Sequence, residues 1–538
     1  MREGRVKKKI QSRKERIILL AALVLMVLVS VLYAYKIGLL FCGYYFADDH
    51  EIARLHGGIV RDGLWKTMKL WIEVDANLRF RPVYWVFRVL ESYFCGTHVV
   101  LWHLIKACEI GFCAWLAVVF ARKMKAGWIV SFLFGVIPFF GPQCAVVYRL
   151  GPQEPLALVW LFASLICAVC YAESGKASPL FLFHLFMTLM MMTKEAFLIL
   201  VPVIVCFLLW QVLQNEYGTE EKPVRAIVKL LKNHIWSIVY EAVAFCLCMG
   251  IIVFHSGVSS IGYAGLDASY SVADYAAGMW KIWKGDLFPY LVVLLITICV
   301  NIVFCVRKRK EKGFVFFRCY ELLFVLYFVF SQSLLHAKSG MSERYLFPCI
   351  TGILIYVFCF GVSLWTRLRQ QSDKETGKRR ITGCKWKTII AQTLLVIWSA
   401  GMIYTSQFHA LCVNYVLTCS NNTQMLIRLS ELAKERGGES CKIIVSTPYG
   451  EWNLAVCAFM EELYGVKHTF ALNQSDQDNR TANDRYVIGE ETEQTIDVTE
   501  ADLYVAQLEF LPMKMRECGL EYTQMQQEIF GNYIIFMK

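Results

Sequence analysis

Residues 17–51 read IILLAALVLMVLVSVLYAYKIGLLFCGYYFADDHE, an apolar run that ends in an acidic cluster. The run from 17 to 41 is longer than the ~20 residues that a helix needs to cross a bilayer. It is too long for the apolar part of a cleavable signal, and no clear small-residue cleavage site follows it. We therefore expect it to remain as a membrane anchor, with Asp48 and Asp49 just beyond its end.

Ten further apolar runs predict a polytopic membrane protein with about eleven spanning helices. Hydrophobic residues make up 57% of the 538 positions, and they are concentrated in blocks. Each block approaches the length that a ~30 Å hydrocarbon layer requires. The blocks cover approximately residues 98–120, 127–147, 155–172, 178–193, 196–213, 235–254, 288–306, 314–335, 345–365 and 388–405. The predicted fold class is an all-α polytopic membrane protein with a small C-terminal extracytoplasmic α/β domain.

The distribution of Lys and Arg predicts the orientation, because cytoplasmic segments carry the excess of these residues. Basic stretches precede the first run and recur in alternate connections: residues 2–16, 122–125, 222–232, 307–312 and 367–387. We therefore expect a cytoplasmic N-terminus, an extracytoplasmic C-terminus and a location in the plasma or inner membrane. Residues 1–405 contain 45 basic and 25 acidic residues, and residues 406–538 contain 10 and 19. The net charge of +11 thus reflects topology and does not indicate nucleic-acid binding.

Three parts of the chain differ in composition: a basic cytoplasmic segment at 1–16, a membrane domain at 17–405 and an extracytoplasmic domain at 406–538. The first outer loop, 42–97, contains a stretch at 50–75 that can form an amphipathic helix on the membrane surface. The last part alternates helix and strand signals, which is typical of a small α/β domain. Its predicted helices are Met425–Leu432 and Trp452–Tyr464, and its strand candidates are Cys441–Ser446, His468–Leu472, Arg485–Ile488 and Asp502–Leu508. It contains five of the 21 cysteines, where disulfides could form on the oxidising side of the membrane.

Five short polar clusters fall on the predicted outer face, and their shared location points to one extracytoplasmic site. They are Asp48-Asp49-His50-Glu51, Arg79-Phe80-Arg81-Pro82, Tyr148 to Glu154, Thr193-Lys194-Glu195 and Ser342-Glu343-Arg344-Tyr345.

The Asp48-Asp49 pair is the candidate for acid–base chemistry. Adjacent carboxylates repel each other, which raises at least one pKa and suits a general base. An alternative is a solvated loop start that keeps the hairpin out of the bilayer. A manganese or zinc site formed with His50 and His56 is a further alternative, since carboxylates and imidazoles suit these ions. No other cofactor is indicated.

The basic residues of the clusters are candidates for binding a phosphate group. Arg81, Arg149 and Arg344 can each form two parallel hydrogen bonds to phosphate, although a single arginine could equally contact lipid headgroups. Lys194 lies between two apolar runs, where a charge costs about 2.5–3.5 kcal/mol if the turn enters the bilayer, so we favour a functional role over a marker of the turn. Further polar candidates of the same site are Glu154, Glu195, Glu343, Tyr345 and His103.

The order of these features resembles the GT-C superfamily of membrane glycosyltransferases, which includes protein O-mannosyltransferases and aminoarabinose transferases. Those families place an acidic pair after the first span, as at Asp48-Asp49, and an Arg-Pro before the second, as at Arg81-Pro82. A Lys-Glu at a tight outer hairpin is similar to Lys194-Glu195, and Arg344 to Pro348 resembles the opening of a late span. The resemblance covers residues 17–405 by order and spacing.

The resemblance implies an inverting transfer of a sugar from a polyprenyl-phosphate carrier to an acceptor of the cell envelope. One of Asp48 and Asp49 would act as base, while Arg81, Lys194 and Arg344 would stabilise the departing lipid phosphate. The expected partners are the lipid-linked donor, a glycan, lipid or protein acceptor, and membrane lipids. Alternatives are a polysaccharide polymerase or ligase, a transporter of lipid-linked sugars, and a non-catalytic scaffold.

Overall fold

A computed structural model describes most of the chain. The described residues are 2–76, 79–136, 139, 147–216, 223–256, 271–285, 287–307, 346–375, 392–393, 396–401, 403–405, 407–448, 450–472, 480–487, 490–508 and 521–538.

Helices dominate the described part of the chain. They are α1 (Arg2–Lys36), α2 (Phe46–Asp62), α3 (Leu64–Ala76), α4 (Pro82–Cys95), α5 (Val99–Lys123), α6 (Trp128–Val136), α7 (Glu154–Ser174), α8 (Ala177–Met191), α9 (Val201–Glu216), α10 (Pro223–Asn233), α11 (Ile235–Ser256), α12 (Val272–Lys284), α13 (Phe288–Arg307), α14 (Phe347–Glu375), α15 (Phe408–Glu435) and α16 (Gly450–Tyr464). A 3-10 segment, Glu195–Leu200, leads directly into α9.

Six apolar stretches in the described part are long enough to cross a membrane, which confirms a multi-pass protein. They are Arg13–Lys36, Val99–Lys123, Glu154–Ser174, Glu195–Leu213, Ile235–Ile252 and Phe288–Arg307. Two shorter apolar helices, Ala177–Met191 and Phe347–Val362, lie where further spans are predicted. The predicted span 314–335 lies outside the described residues, as do parts of 127–147 and 388–405. The count of eleven therefore stays a prediction.

The first outer loop forms three helices, so the expectation of one continuous helix at 50–75 is wrong, while its position on the membrane surface stays a prediction. Gly63, with φ of 85°, separates α2 from α3 and lets the chain turn there. The apolar sides of α2, α3 and α4 also pack against one another through Leu55, Met68 and Trp85. They bury much of this apolar surface within the protein, although Trp65 remains 75% exposed.

The C-terminal part confirms the α/β prediction. Its seven strands are β1 (Ile443–Ser446), β2 (Thr469–Ala471), β3 (Arg480–Val487), β4 (Glu490–Asp497), β5 (Leu503–Gln507), β6 (Gln526–Phe530) and β7 (Tyr533–Met537). They form one sheet in the order β4-β3-β2-β1-β5-β7-β6, in which β1 runs parallel to β2 and β5 and the other pairs are antiparallel. Helix α16 connects the parallel strands β1 and β2. The cysteines at 412, 419, 441 and 457 form no disulfide bond among the described residues, and Cys518 lies outside those residues.

One apolar cluster joins the first outer loop to the C-terminal part. The centre of the Phe46 ring lies 6.1 Å from the centre of the Phe459 ring in α16 and 5.6 Å from that of the Tyr533 ring in β7. Tyr44 stacks on the same Phe459 ring at 4.9 Å. The cluster continues through Ile52 and neighbouring residues of α2. The start of α2 is therefore held from one side by the sheet-containing part of the chain.

Polar residues inside the apolar helices are hydrogen-bonded to neighbouring helices. His184 in α8 lies 2.6 Å from Glu241 Oε1 through Nδ1 and 3.2 Å from Ser237 Oγ through Nε2, both in α11. Thr188 and Tyr240 join the same two helices through hydroxyl groups 3.0 Å apart. Such contacts satisfy polar groups that would otherwise be costly in a membrane, and they tie α8 to α11.

Candidate functional site

The acidic pair lies at the start of α2, where the two carboxylates have different surroundings. Asp49 is 1% exposed, and its Oδ2 accepts a hydrogen bond from the backbone N–H of Tyr45 at 2.8 Å. Asp48 is half-buried and adopts φ 68° and ψ −25°, a left-handed conformation that few residues other than Gly, Asn and Asp tolerate. The pair is thus a buried carboxylate beside a more accessible one on a constrained backbone.

Gly151 is the neighbour that makes room for Asp48. A Cβ at position 151 would lie 2.2 Å from Asp48 Cβ and 3.0 Å from its Cγ. The segment before α7 therefore approaches the acidic pair so closely that only glycine fits without moving it.

Burial controls the ionisation of the acidic cluster. It raises the pKa of Asp49 to about 7, against the opposing effects of the Tyr45 N–H, Arg88 and His103, and the charge of Asp48 contributes least. Repulsion between the two aspartates is therefore a minor cause, contrary to the expectation from sequence. Burial also raises the pKa of Glu51 to about 7 and lowers that of His50 to about 4, which leaves this imidazole neutral near pH 7.

Glu51 joins the site through Tyr84, a contact that the sequence analysis did not anticipate. The Tyr84 hydroxyl donates to Glu51 Oε2 at 2.9 Å and lies 3.3 Å from the carbonyl oxygen of Gly151. Helix α4 and the segment before α7 thereby meet at the acidic end of α2.

Arg81 is bound by a carboxylate within the protein. Its Nε donates to both carboxylate oxygens of Asp75 at 3.2 Å, and both residues are 6% exposed. The guanidinium carbon also lies 5.3 Å from the centre of the Tyr84 ring. Arg81 is consequently next to the Glu51–Tyr84 pair and already neutralised.

Lys194 is also buried beside carboxylates. It is 2% exposed, and its Nζ lies 3.6 Å from Glu154 Oε1 and 3.8 Å from Glu195 Oε1. Glu195 interacts electrostatically with Arg81 as well. The structure thus brings Arg81, Lys194, Glu154 and Glu195 together in one charged group beside the acidic pair.

Two further predicted residues pack around the segment before α2. Arg149 lies over the rings of Tyr45 and Tyr415, 5.3 and 5.9 Å from their centres. His103 is fully buried, and its Nε2 lies 3.1 Å from the carbonyl oxygen of Gly43. Arg344, Glu343 and Tyr345 lie outside the described residues.

Comparison of folds identifies the architecture. The apo structure of ArnT from Cupriavidus metallidurans matches with a TM-score of 0.50 and 10% identity, covering 98% of this chain and 98% of that chain. The chain has the GT-C fold. The apo structure of the Archaeoglobus fulgidus oligosaccharyltransferase matches with a TM-score of 0.48 and 9% identity, covering 93% of this chain and 71% of that chain. The structure of C. metallidurans ArnT bound to undecaprenyl phosphate matches with a TM-score of 0.44 and 10% identity, covering 97% of this chain and 98% of that chain. No family model and no curated protein matches the sequence.

Within this GT-C fold, the geometry adds residues that the sequence analysis missed. Asp75 pairs with Arg81, and Arg88 acts electrostatically on both Asp49 and Glu51. The sequence signal that could have identified such residues is a charge within an apolar stretch, as at Arg88 and Lys106. Among the described residues, no group of three or more His, Cys, Asp or Glu side chains is arranged to hold a metal ion, so the alternative formed by Asp48, Asp49 and His50 gains no geometric support.

Gly151→Ala tests the close approach at Asp48. The new methyl group would overlap Asp48 Cβ, so we expect Asp48 to be displaced and any activity of the site to fall by roughly tenfold or more, since misplacement by about 1 Å can cost that much. Activity and the unfolding midpoint of the purified variant would be measured. Gly361→Ala, at a helical glycine with nothing within 4 Å, is the matched control. An unchanged activity for Gly151→Ala would contradict the proposed contact.

Asp49→Asn tests the burial of the carboxylate. The pKa of Asp49 is about 7 in the folded chain and ~4 in the unfolded chain, so between these pH values the folded chain binds more protons. The free energy of unfolding therefore decreases as the pH rises from about 4 to about 7. Asn can still accept from Tyr45, and the variant should gain in stability over the parent by up to about 4 kcal/mol at pH 8 but little at pH 4. Unfolding midpoints across this range measure the difference, with Asp62→Asn as control for losing a carboxylate from the same helix. A pH-independent difference would argue against a buried, titrating Asp49.

Proposed function

We propose that the chain is a membrane glycosyltransferase that moves a sugar from a polyprenyl-phosphate carrier to an acceptor outside the cytoplasm. The observation that carries this proposal is the close grouping, within a GT-C fold, of a half-buried aspartate on a strained backbone and two buried cations. A carboxylate and cations are what this transfer requires: a base for the acceptor and positive charge for the departing phosphate.

Asp48 is the proposed base because it is the more accessible member of the pair. Its carboxylate takes the proton of an acceptor hydroxyl as the acceptor oxygen forms a bond to the anomeric carbon. The bond between that carbon and the phosphate oxygen breaks, and polyprenyl phosphate departs on the opposite side with inversion of configuration. Asp49 positions this base through its hydrogen bond to the Tyr45 backbone.

Arg81 and Lys194 are the proposed phosphate-binding residues, together with Arg344. ArnT from C. metallidurans has been observed with undecaprenyl phosphate, and we propose a carrier lipid of this class for the present chain. Asp75 neutralises the charge of Arg81, and Glu154 that of Lys194. A phosphate entering the site would replace part of that compensation, since it offers the same bidentate acceptor geometry to Arg81.

Asn substitutions separate the proposed roles of the two aspartates. Asp48→Asn keeps a residue that tolerates the left-handed conformation but removes the base, so turnover should fall by roughly 10²-fold or more. Asp49→Asn retains an acceptor for the Tyr45 N–H and should lose less. Transfer from a short-chain polyprenyl-phosphate sugar would be measured with purified protein and extracted envelope glycolipids. If Asp48→Asn turns over like the parent, the proposed base is wrong.

A charge-neutral double variant tests Arg81 without leaving Asp75 buried and unpaired. Removing Arg81 alone would cost stability, because breaking a buried ion pair typically costs about 3–5 kcal/mol. Arg81→Gln combined with Asp75→Asn should preserve folding, yet weaken binding of a short-chain polyprenyl phosphate by about tenfold or more. Lys194→Met combined with Glu154→Gln is the parallel test, and Lys442→Met combined with Glu500→Gln, which removes an exposed ion pair, is the control. Parent-like lipid affinity in both buried-pair variants would show that these pairs serve only the fold.

A further inference from the structure

A second cleft lies beside the proposed site, between α4, α5 and the segment that enters α7. Its inner wall contains Arg88, Lys106 and Gln153 together with the carboxylates of Glu91 and Glu109, and its outer part includes Phe87, Ile105 and Leu156. The cleft is thus charged at its inner end and apolar at its rim. Neither the base nor the Arg81–Lys194 group proposed above lies among its lining residues.

Arg88 has hydrogen-bonding capacity that the protein leaves unused. It is 4% exposed, and its guanidinium carbon lies over the Trp102 ring at 4.6 Å. Its Nε and Nη2 are buried and have no hydrogen-bond partner among the described residues, while Nη1 forms an ion pair with Glu91 Oε2 at 3.7 Å. Leaving charged donors buried and unpaired is costly, so this side chain is suited to an anionic acceptor from outside the protein.

Lys106 provides a second cation on the same wall. It is 8% exposed, and its ammonium group donates to Glu109 Oε2 at 2.9 Å and to the carbonyl oxygen of Pro152 at 3.1 Å. Gln153 is 7% exposed, and its Oε1 has no hydrogen-bond partner in the described part of the chain, so it can accept from a hydroxyl group on a ligand. An ammonium group has three donors, so one N–H of Lys106 remains for a ligand.

The rim indicates what kind of molecule carries the anion. Ile105 and Leu156 belong to α5 and α7, two of the stretches long enough to span a membrane, and Ile105 is 36% exposed. Phe87 packs edge-on against Trp160 of α7 at 5.7 Å. An apolar rim on membrane helices favours a ligand with a hydrocarbon chain over a free ion.

We propose that this cleft binds the phosphate headgroup of a membrane lipid, with Arg88 and Lys106 holding the phosphate and Phe87, Ile105 and Leu156 contacting the chain. Arg81 and Lys194 do not line this cleft, whereas Tyr84 borders both Arg81 and the cleft, and Arg88 also acts electrostatically on Asp49 and Glu51. Lipid binding in the cleft does not require the proposed transferase activity.

Lipid retention by the purified full-length chain tests the proposal. Native mass spectrometry would compare phosphatidic acid, diacylglycerol with the same acyl chains, and inorganic phosphate. We expect one phosphatidic acid per chain, little diacylglycerol, and no competition from millimolar inorganic phosphate. Arg88→Gln and Lys106→Met should each weaken retention about tenfold or more, because each removes a charge-assisted hydrogen bond. Ile105→Trp, which fills the rim without changing any charge, should also weaken it.

Matched variants make the result specific. Arg122→Gln removes another arginine that lies over a tryptophan ring, 4.2 Å from the centre of Trp128, at the other end of α5, and should retain the lipid. The Arg81→Gln, Asp75→Asn double variant should also retain it, and Asp48→Asn should lose transfer but not lipid. Equal retention in Arg88→Gln and Lys106→Met would overturn the proposal, as would loss of the lipid in the Arg81 double variant. Full competition by inorganic phosphate would identify a free-anion site and overturn the assignment to a lipid.

Discussion

The hydrogen bond from the Tyr45 backbone to the buried Asp49 carboxylate is the contact on which the candidate site depends. Between this N–H and Asp49 the backbone leaves helical geometry at Ala47 and Asp48, and Asp48 takes a left-handed conformation. That conformation brings Asp48 against Gly151, which fixes the distance between α2 and the segment before α7. One short-range contact thus sets the positions of both carboxylates and of the wall opposite them.

The C-terminal part supports this arrangement from behind. Gly43, with φ of 91°, approaches Thr423 of α15 so closely that a Cβ there would overlap the threonine side chain. The Tyr44 N–H donates to the same Thr423 hydroxyl at 3.1 Å, and Gly57 of α2 makes room for Glu462 of α16. Residues 408–464 therefore contact the acidic end of α2 and its middle. The C-terminal part therefore supports the candidate site, because it anchors the segment that carries the two aspartates.

The sequence was sufficient to predict the membrane-spanning helices, because they follow from the apolar composition alone. A span must satisfy its own backbone hydrogen bonds in lipid, so long apolar runs identify helices whatever their neighbours. The pairing of Arg81 with Asp75 and of Lys194 with Glu154 follows instead from how α3, α4 and α7 pack, and no local pattern encodes it. The sequence analysis also missed strands β4, β6 and β7, and for the two polar edge strands, β4 and β6, the reason is related. Gln526–Phe530 is polar and lies at the sheet edge, and its strand conformation depends on pairing with β7.

The two arginines of the α4 region show why burial alone does not identify a ligand-binding residue. Arg81 and Arg88 are 6% and 4% exposed and lie seven positions apart, yet Arg81 is held by Asp75 through several hydrogen bonds whereas Arg88 has two donor atoms without partners. A phosphate bound to Arg81 must compete with a carboxylate already in place, so part of its interaction energy replaces an existing contact. A phosphate bound to Arg88 meets two donor atoms that nothing in the described chain satisfies, so hydrogen bonds to them replace no existing contact, while repulsion from the nearby Glu91 carboxylate opposes part of the gain. We therefore expect an anion to be held more persistently at the Arg88 cleft than at Arg81, where binding would be exchangeable. Exchangeable binding is the property that a leaving-group site requires, because a product held too firmly would slow its own release.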